Sequence, residues 1–353
     1  MTKNDKEDFD IQLLGFLDYI NKEYGDGVNV GSNLGTIKQE DIIPSGIVSL
    51  DFAAGNGGFV RGRLVDIYGP EASGKSLVAF HLIGHNLKLG RRCLIIDAEG
   101  TTNSSFMKML GIDIENENLV IMRSGETPLY AEDWFEILKK ALDAKEFDIV
   151  LVDSVPALVP KSIAEGDMNE TKQRAILAQI MSEGLSSIIQ RAVSAKTLLI
   201  FINQLRARPT VMFGNPMTPT GGNAIKFFAS YRIAVKPLED VKKAIMLGTK
   251  KLESIIGYRV RYTFEKNKLA PANTSAEFYV DFRDGVDYVD DLISCAELTG
   301  VIGKSGSSYW FYPNVEGSEK VNGRDKFKEW LQEKDLVAAL TTDVKHALQP
   351  KKQ

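Results

Sequence analysis

Phe9, Leu13, Phe16, Leu17, Ile20 and Tyr24 recur at intervals of three and four, which predicts an amphipathic helix over residues 8–24. The Gly-rich run "GDGVNVGSNLG" then separates this helix from the rest, so its apolar stripe must be buried on its own domain or on a neighbouring copy. From about residue 43 to 282, apolar runs alternate with helical patterns: "RLVDIYG", a helix over 75–89, "RCLIIDAEG", a helix around 130–144, and "FDIVLVDS". A further helix carries Ile176, Leu177, Ile180, Met181, Leu185, Ile188, Ile189 and Val193 on one stripe, and "KTLLIFINQ" follows it. Continuously apolar strands between helices predict an α/β fold with a mostly parallel central sheet covered on both faces. The segments "YRIAVKP", "YRVRYTFEKNK" and "AEFYVDF" alternate instead and follow one another without helices, which predicts antiparallel strands added at one end of the same sheet. After Gly285 come two short apolar sets, Leu292 to Ile302 and Phe327 to Leu340, around a strand "SSYWFY", a small α+β module. The expected division is 1–34, 35–284 and 285–353.

One stretch fits no period. Residues 203–223, "NQLRARPTVMFGNPMTPTGGN", hold three prolines, three glycines and two arginines but no acid. A compact domain rarely carries so long a loop without a function for it. Its setting is equally unusual: no Asp or Glu occurs from Gly184 to Leu238, whereas Arg191, Lys196, Arg206, Arg208, Lys226, Arg232 and Lys236 do. The formal charge of the chain is −4, so the distribution of charge, not its sum, points to nucleic acid here. At 353 residues with 44% apolar content there is room for one large core and small accessory modules, and no apolar run is long enough to span a membrane. The N-terminus "MTKNDKEDFD" has no signal-peptide pattern, and Cys93 and Cys295 sit in apolar surroundings. Both features lead us to expect a cytoplasmic protein with reduced thiols.

The chemistry concentrates in "GPEASGKS": Gly69, Pro70, Glu71, Ala72, Ser73, Gly74, Lys75 and Ser76. This is the phosphate-loop pattern, placed between a strand and a helix, where backbone N–H groups can curl around phosphate oxygens. Lys75 would reach the outer phosphates of a nucleoside triphosphate, and Ser76 would ligate Mg²⁺. Asp153 ends the strand "DIVLVDS", where a second acid supports the metal. Asp97 and Glu99 end "RCLIIDAEG", and of the two Glu99 suits a general base for the attacking water. Gln204, at the tip of "LLIFINQ", could sense the terminal phosphate or could simply cap the strand. His81 and His85 lie four apart as in metal sites, but no third ligand accompanies them, and a structural role suits them better.

The motifs "GPEASGKS", "IDAEG", "LVDSVPALVPK", "LLIFINQLR", "VMFGNP", "TGGNAIKFFAS" and "EKNKLAP" together resemble the bacterial RecA recombinases, in the same order and over roughly residues 8–340. The resemblance implies a P-loop ATPase core of RecA type with ATP and Mg²⁺ as cofactors. It implies that Lys75 and Ser76 bind phosphate and Mg²⁺, Glu99 is the catalytic carboxylate, Asp153 the second acid on the Mg²⁺ side and Gln204 the γ-phosphate sensor. Lys266 and Lys268 match a lysine pair that reaches onto a neighbour's ATP, and Lys226 and Phe227 match interface residues. Phe106 and Phe282 fall where aromatic rings stack near adenine, and Asn103 stands where the family usually has an acid.

Residues 203–223 correspond to the second DNA-binding loop of the family and residues 162–174 to the first. Arg174, Arg206 and Arg208 would hold phosphates, and Met168, Met212 and Phe213 would wedge between bases. Gly221 and Gly222 would let the backbone approach phosphates closely. Residues 238–257 look longer and richer in lysine than the family pattern, and the chain lacks the acidic tail of many relatives. The function implied is an ATP-dependent recombinase that forms filaments on single-stranded DNA and pairs it with homologous duplex DNA, with LexA-type repressors as further partners and no role at a membrane. The alternatives are a hexameric helicase on the same core and a DNA-coating regulatory filament.

Overall fold

The computed structural model describes residues 14, 16, 18–20, 22, 23, 37–164, 166, 170–207, 217–219, 224–247, 250–283, 285–311 and 319–348. The chain divides into two compact units, Met1–Asp41 and Ile42–Gln353. In the first, the described residues from Leu14 to Glu23 are helical, with Leu14, Phe16 and Tyr19 exposed.

The second unit is built on strands β1 (Ile42–Ile43), β2 (Phe59–Val60), β3 (Leu64–Gly69), β4 (Cys93–Asp97), β5 (Leu119–Arg123), β6 (Ile149–Asp153), β7 (Leu198–Ala207), β8 (Met217–Pro219), β9 (Tyr231–Leu247), β10 (Lys250–Asn267), β11 (Ser275–Asp281) and β12 (Gly285–Val286). Its helices are α1 (Val48–Ala53), α2 (Lys75–Lys88), α3 (Ser104–Met109), α4 (Ala131–Ala144), α5 (Lys161–Ala164), α6 (Glu170–Ala195) and α7 (Ala224–Phe228). The main sheet has the order β12-β11-β10-β9-β3-β7-β6-β4-β5. It is parallel from β9 to β5 and antiparallel from β12 to β9, as the strand patterns predict.

The continuous apolar runs have a direct cause in this layering. Along β7, Leu198, Ile200 and Ile202 face a core that contains α2, while Leu199 and Phe201 face a second core with α4 and α6. With helices on both faces, the pleat sends successive side chains into different cores, and few positions are left for polar residues. A third core gathers α8 (Tyr288–Thr299), α9 (Arg324–Glu333), α10 (Val337–Leu348) and the small sheet β13 (Ile302–Ser305), β14 (Ser308–Phe311), β15 (Val321–Asn322), together with Val48. Here the apolar set from Phe327 to Leu340 is two helices, not one, because Asp335 takes a left-handed conformation at φ 53° between them. Cys93 and Cys295 are both free and buried.

Two further expectations change. The stretch 203–223 is not without strand structure: β7 continues to Ala207, and Met217–Pro219 returns to pair with it antiparallel. Residues 238–257 belong to a single long hairpin of β9 and β10. β9 pairs with β3 only through Ala234, and β10 pairs with β11 only from Gly257, so among the described residues the outer hairpin pairs only with itself. It carries Lys242, Lys243, Lys250 and Lys251, and charge along an unpaired edge guards against edge-to-edge association.

Candidate nucleotide site and its distant lysines

Strand register assembles the site at one edge of the sheet. Gly69 at the end of β3 is paired with Gln204 on β7, and Asp97 at the end of β4 is paired with Asp153 on β6. Gly69 must be glycine, since a Cβ there would lie 2.6 Å from the Val235 carbonyl oxygen. Gly74 adopts φ 94°, a conformation that L side chains rarely adopt, and turns the loop into α2. The helix thereby directs its first N–H groups at the loop, and Lys88 in its last turn suits the negative end of the dipole.

Lys75 is nearly buried, at 7% exposure, and its ammonium donates to the Pro70 carbonyl and, at 3.5 Å, to the Ser73 hydroxyl. Burial pulls its pKa below the usual lysine value, against the opposing pull of Asp153, Glu71 and Glu99. A desolvated ammonium held by neutral oxygens of its own loop gains from an incoming anion. Burial also pushes Asp153 up to about 6, while a hydrogen bond from Ser76 acts in the opposite direction and Glu99 and Asp97 add to the rise. Ser76 and Asp153 are thus in contact, as a shared metal would require.

The two acids of "IDAEG" separate as the strand ends. Asp97 is buried and accepts from the Thr101 and Thr102 amides at 3.2 and 2.9 Å, with Arg123 3.6 Å away. It therefore shapes the loop. Glu99, past the end of the strand, is exposed and accepts from the Ser154 hydroxyl.

Beside the loop lies a cleft of about 440 Å³ lined by residues 72–77 with Phe106, Met109, Tyr258, Asp281 and Phe282. Phe106 and Phe282 both line this cleft, whereas Asn103 caps α3 by accepting from the Ser105 amide at 2.7 Å and is not among the lining residues. Tyr258, Met109 and Asp281 carry no signal in the sequence. Tyr258 reaches the cleft only because β10 crosses behind the phosphate loop. His81 and His85 are buried enough to lie below the usual imidazole range, His81 at about 4, and no cluster of three or more metal-ligating side chains occurs among the described residues.

Lys266 and Lys268 lie elsewhere. Asn267 on β10 is paired with Tyr231, and Tyr231 with Val65 near the start of β3, so the lysines stand at the end of the sheet opposite Gly69. Four strand residues separate Val65 from Gly69, about 13 Å. Lys266 donates to the Lys226 and Phe227 carbonyls, and Lys268 to that of Phe227 at 3.2 Å. Phe227 itself is 73% exposed. Between the two ends, buried Asp66 on β3 pairs with Arg232 at 3.0 Å, and the guanidinium lies 4.4 Å over the Tyr68 ring. Arg232 and Arg191, the latter 3.0 Å from Asp143, are therefore two cations of the acid-free stretch that meet acids from other elements.

Arg174 falls within α6 and Arg206 within β7, where it is paired with Thr218. Met168, Arg208, Met212, Phe213, Gly221 and Gly222 lie outside the described residues. Because β7 runs on from Gln204 to Ala207, the base of the proposed DNA loop starts one residue beyond the phosphate-loop edge.

A family model described as the RecA N-terminal domain matches residues 12–287. The chain is 36% identical over 336 residues to Protein RecA of Porphyromonas gingivalis (strain ATCC 33277), covering 94% of this chain and 92% of that one. It is 38% identical over 332 residues to Protein RecA of Aquifex aeolicus (strain VF5), covering 94% and 91%. The crystal structure of the RadB recombinase has the same fold at a TM-score of 0.50 and 21% identity, covering 69% of this chain and 98% of that chain.

Proposed function

The chain belongs to the bacterial RecA family and is a recombinase of DNA recombination and repair, and from that premise we propose how it works. It is a DNA-dependent ATPase that assembles as a helical filament on single-stranded DNA and pairs that strand with homologous duplex. One observation carries this reading: β7 places Gln204 beside Gly69 and continues directly into the loop that would hold DNA.

The residues fit a nucleoside triphosphate with Mg²⁺, on the grounds of the buried Lys75 ammonium, the left-handed Gly74 and the Ser76–Asp153 contact. Bound ATP would supply the phosphoanhydride whose cleavage changes the charge at this sheet edge, and Mg²⁺ would offset the phosphate charge. The backbone from Gly69 to Ser76 cradles phosphates, and Lys75 exchanges the Pro70 carbonyl for them. Ser76 and Asp153 hold the metal. Glu99, released from Ser154, orients and deprotonates water, and Gln204 reports the terminal phosphate to the loop. Phe106 and Phe282 enclose the base, with Asn103 nearby in sequence. Lys266 and Lys268 complete the site from a neighbouring copy.

DNA is held by Arg174, Arg206 and Arg208 through phosphates, by Met168, Met212 and Phe213 between bases, and by the backbone at Gly221 and Gly222. Residues 1–34 dock on the adjacent protomer, 35–284 form the motor and DNA site, and 285–353 form the accessory domain. We place the protein in the cytoplasm, with LexA-type repressors as further clients of the filament; among the described residues no helix is long and apolar enough to cross a membrane. A D-loop assay with purified protein tests the proposal: joint molecules should form with homologous duplex and ATP. Unwinding of forked duplex without D-loops would establish a helicase instead, and DNA coating without ATP turnover a regulatory filament.

A further inference from the structure

The hairpin strand β10 passes behind the phosphate loop and places two tyrosines against it. Tyr262 is fully buried, stacks on Phe278 at 5.0 Å between ring centroids, and donates its hydroxyl to the Gly74 carbonyl at 2.9 Å across 188 residues of sequence. Gly74 is the left-handed residue on which the loop turns into α2, so this bond fixes the orientation of the peptide just before Lys75. The Tyr258 hydroxyl stands beside the same glycine: a Cβ on Gly74 would meet it at 2.7 Å. Its ring tilts against Phe282 at 5.8 Å and lines the nucleotide cleft. Behind this aromatic pair is a second cavity of about 270 Å³ at the base of the hairpin, lined by Ala72 and residues 237–240. The Tyr258 ring thus borders open space in both cavities while also packing against the first core.

We propose that β10 supplies two residues of the nucleotide site: Tyr262, a positioning residue that holds the phosphate loop through Gly74, and Tyr258, which contacts the nucleoside from the hairpin side. The inference rests on the reading of this loop as a nucleotide site. It also gives the long hairpin a mechanical connection to that site, since Tyr258 and Tyr262 stand on the strand that leads out to its tip.

Calorimetric titration of the full chain with ATP, ADP and adenosine, each separately, tests it. Tyr262→Phe deletes one hydroxyl and keeps the stacked ring. It should weaken ATP and ADP roughly three- to ten-fold and leave adenosine unchanged, because the loop holds phosphates only. Tyr258→Ala should weaken all three ligands by the same factor, roughly two- to ten-fold, and Tyr258→Phe should restore most of that loss. Lys75→Ala separates the two readings: it should remove the preference of wild type for ATP over adenosine. If Lys75→Ala keeps that preference, the nucleotide reading itself falls and the inference with it. If Lys75→Ala behaves as expected while Tyr262→Phe binds ATP like wild type, or loses adenosine to the same degree as ATP, the inference alone is overturned. A Tyr258→Ala variant with wild-type affinities would remove Tyr258 from the site.

Discussion

The two ends of the central sheet differ in charge. At the end where β3 finishes, Asp153, Glu71 and Glu99 act on a single buried lysine, Lys75. At the end where β3 begins, Lys226, Lys266 and Lys268 gather around exposed Phe227, and Arg232 is buried close behind. On the proposed reading an acid-rich phosphate site takes more positive charge than Lys75 provides, and the chain keeps that charge at the other end of the sheet, about 13 Å away measured along β3. A rigid sheet cannot fold to bring its own ends together. A second copy stacked head to tail can, and such a heterologous contact grows into a filament where its rotation does not close.

The largest effect should come from the acidic end. Lys75→Ala should abolish ATP-driven filament formation, read by electron microscopy; normal ATP-dependent filaments would break the comparison at once. Next, at the cationic end, Lys266→Ala with Lys268→Ala should lower the DNA-stimulated rate about 10²- to 10³-fold, the range for donors that stabilise developing charge, while nucleotide affinity of the isolated chain stays within a factor of two. Equal loss of binding and rate would place the lysines in the same chain's site. A smaller effect is expected where β7 leaves the acidic end: Arg206→Ala with Phe213→Ala should cut stimulation of ATPase by single-stranded DNA by about ten-fold or more, and flatten its salt dependence. Stimulation that survives would exclude the loop as the DNA contact.

The smallest effect belongs to neither end. Asp51 and Asp291 are raised by burial to about 7 and about 6, and they accept from the Ser45 and Ser49 amides at 2.7 and 3.1 Å. A carboxyl raised in the folded state stabilises below its unfolded value near 3.8, and this stability is lost as pH rises through about 6 to 7. Asp51→Asn, which keeps an acceptor for Ser45, should therefore melt above wild type at pH 8 by a few degrees, with the difference vanishing toward pH 4. Nucleotide affinity should not change, which makes this variant the control for the other three.

The parallel half of the fold was legible because burial on both faces leaves an unmistakable apolar run, and the phosphate loop because its glycines and lysine are local in sequence. The strand extension of β7 to Ala207 was hidden by the prolines and glycines beyond it, which signal a turn but not the return of Met217–Pro219. The long hairpin was hidden for a different reason: its outer strands pair with each other, and nothing local in sequence marks that pairing. Tyr258 and Tyr262 read as ordinary strand residues in "GYRVRYTF", since only pairing between segments far apart in sequence brings them to Gly74. The pairing of Arg232 with Asp66 was equally invisible, because sequence shows a charge but not its partner.

The most direct test of a site divided between copies is to mix its halves. Lys75→Ala protein, which keeps Lys266 and Lys268, should be combined with the Lys266→Ala, Lys268→Ala protein, which keeps the phosphate loop, and DNA-stimulated ATPase followed against their ratio. Each variant alone should be inactive, and at equal amounts about a quarter of the contacts in a randomly mixed filament should unite two intact halves and restore a corresponding share of the wild-type rate. No recovery at any ratio, with mixed filaments present, would contradict completion of the site by a neighbour.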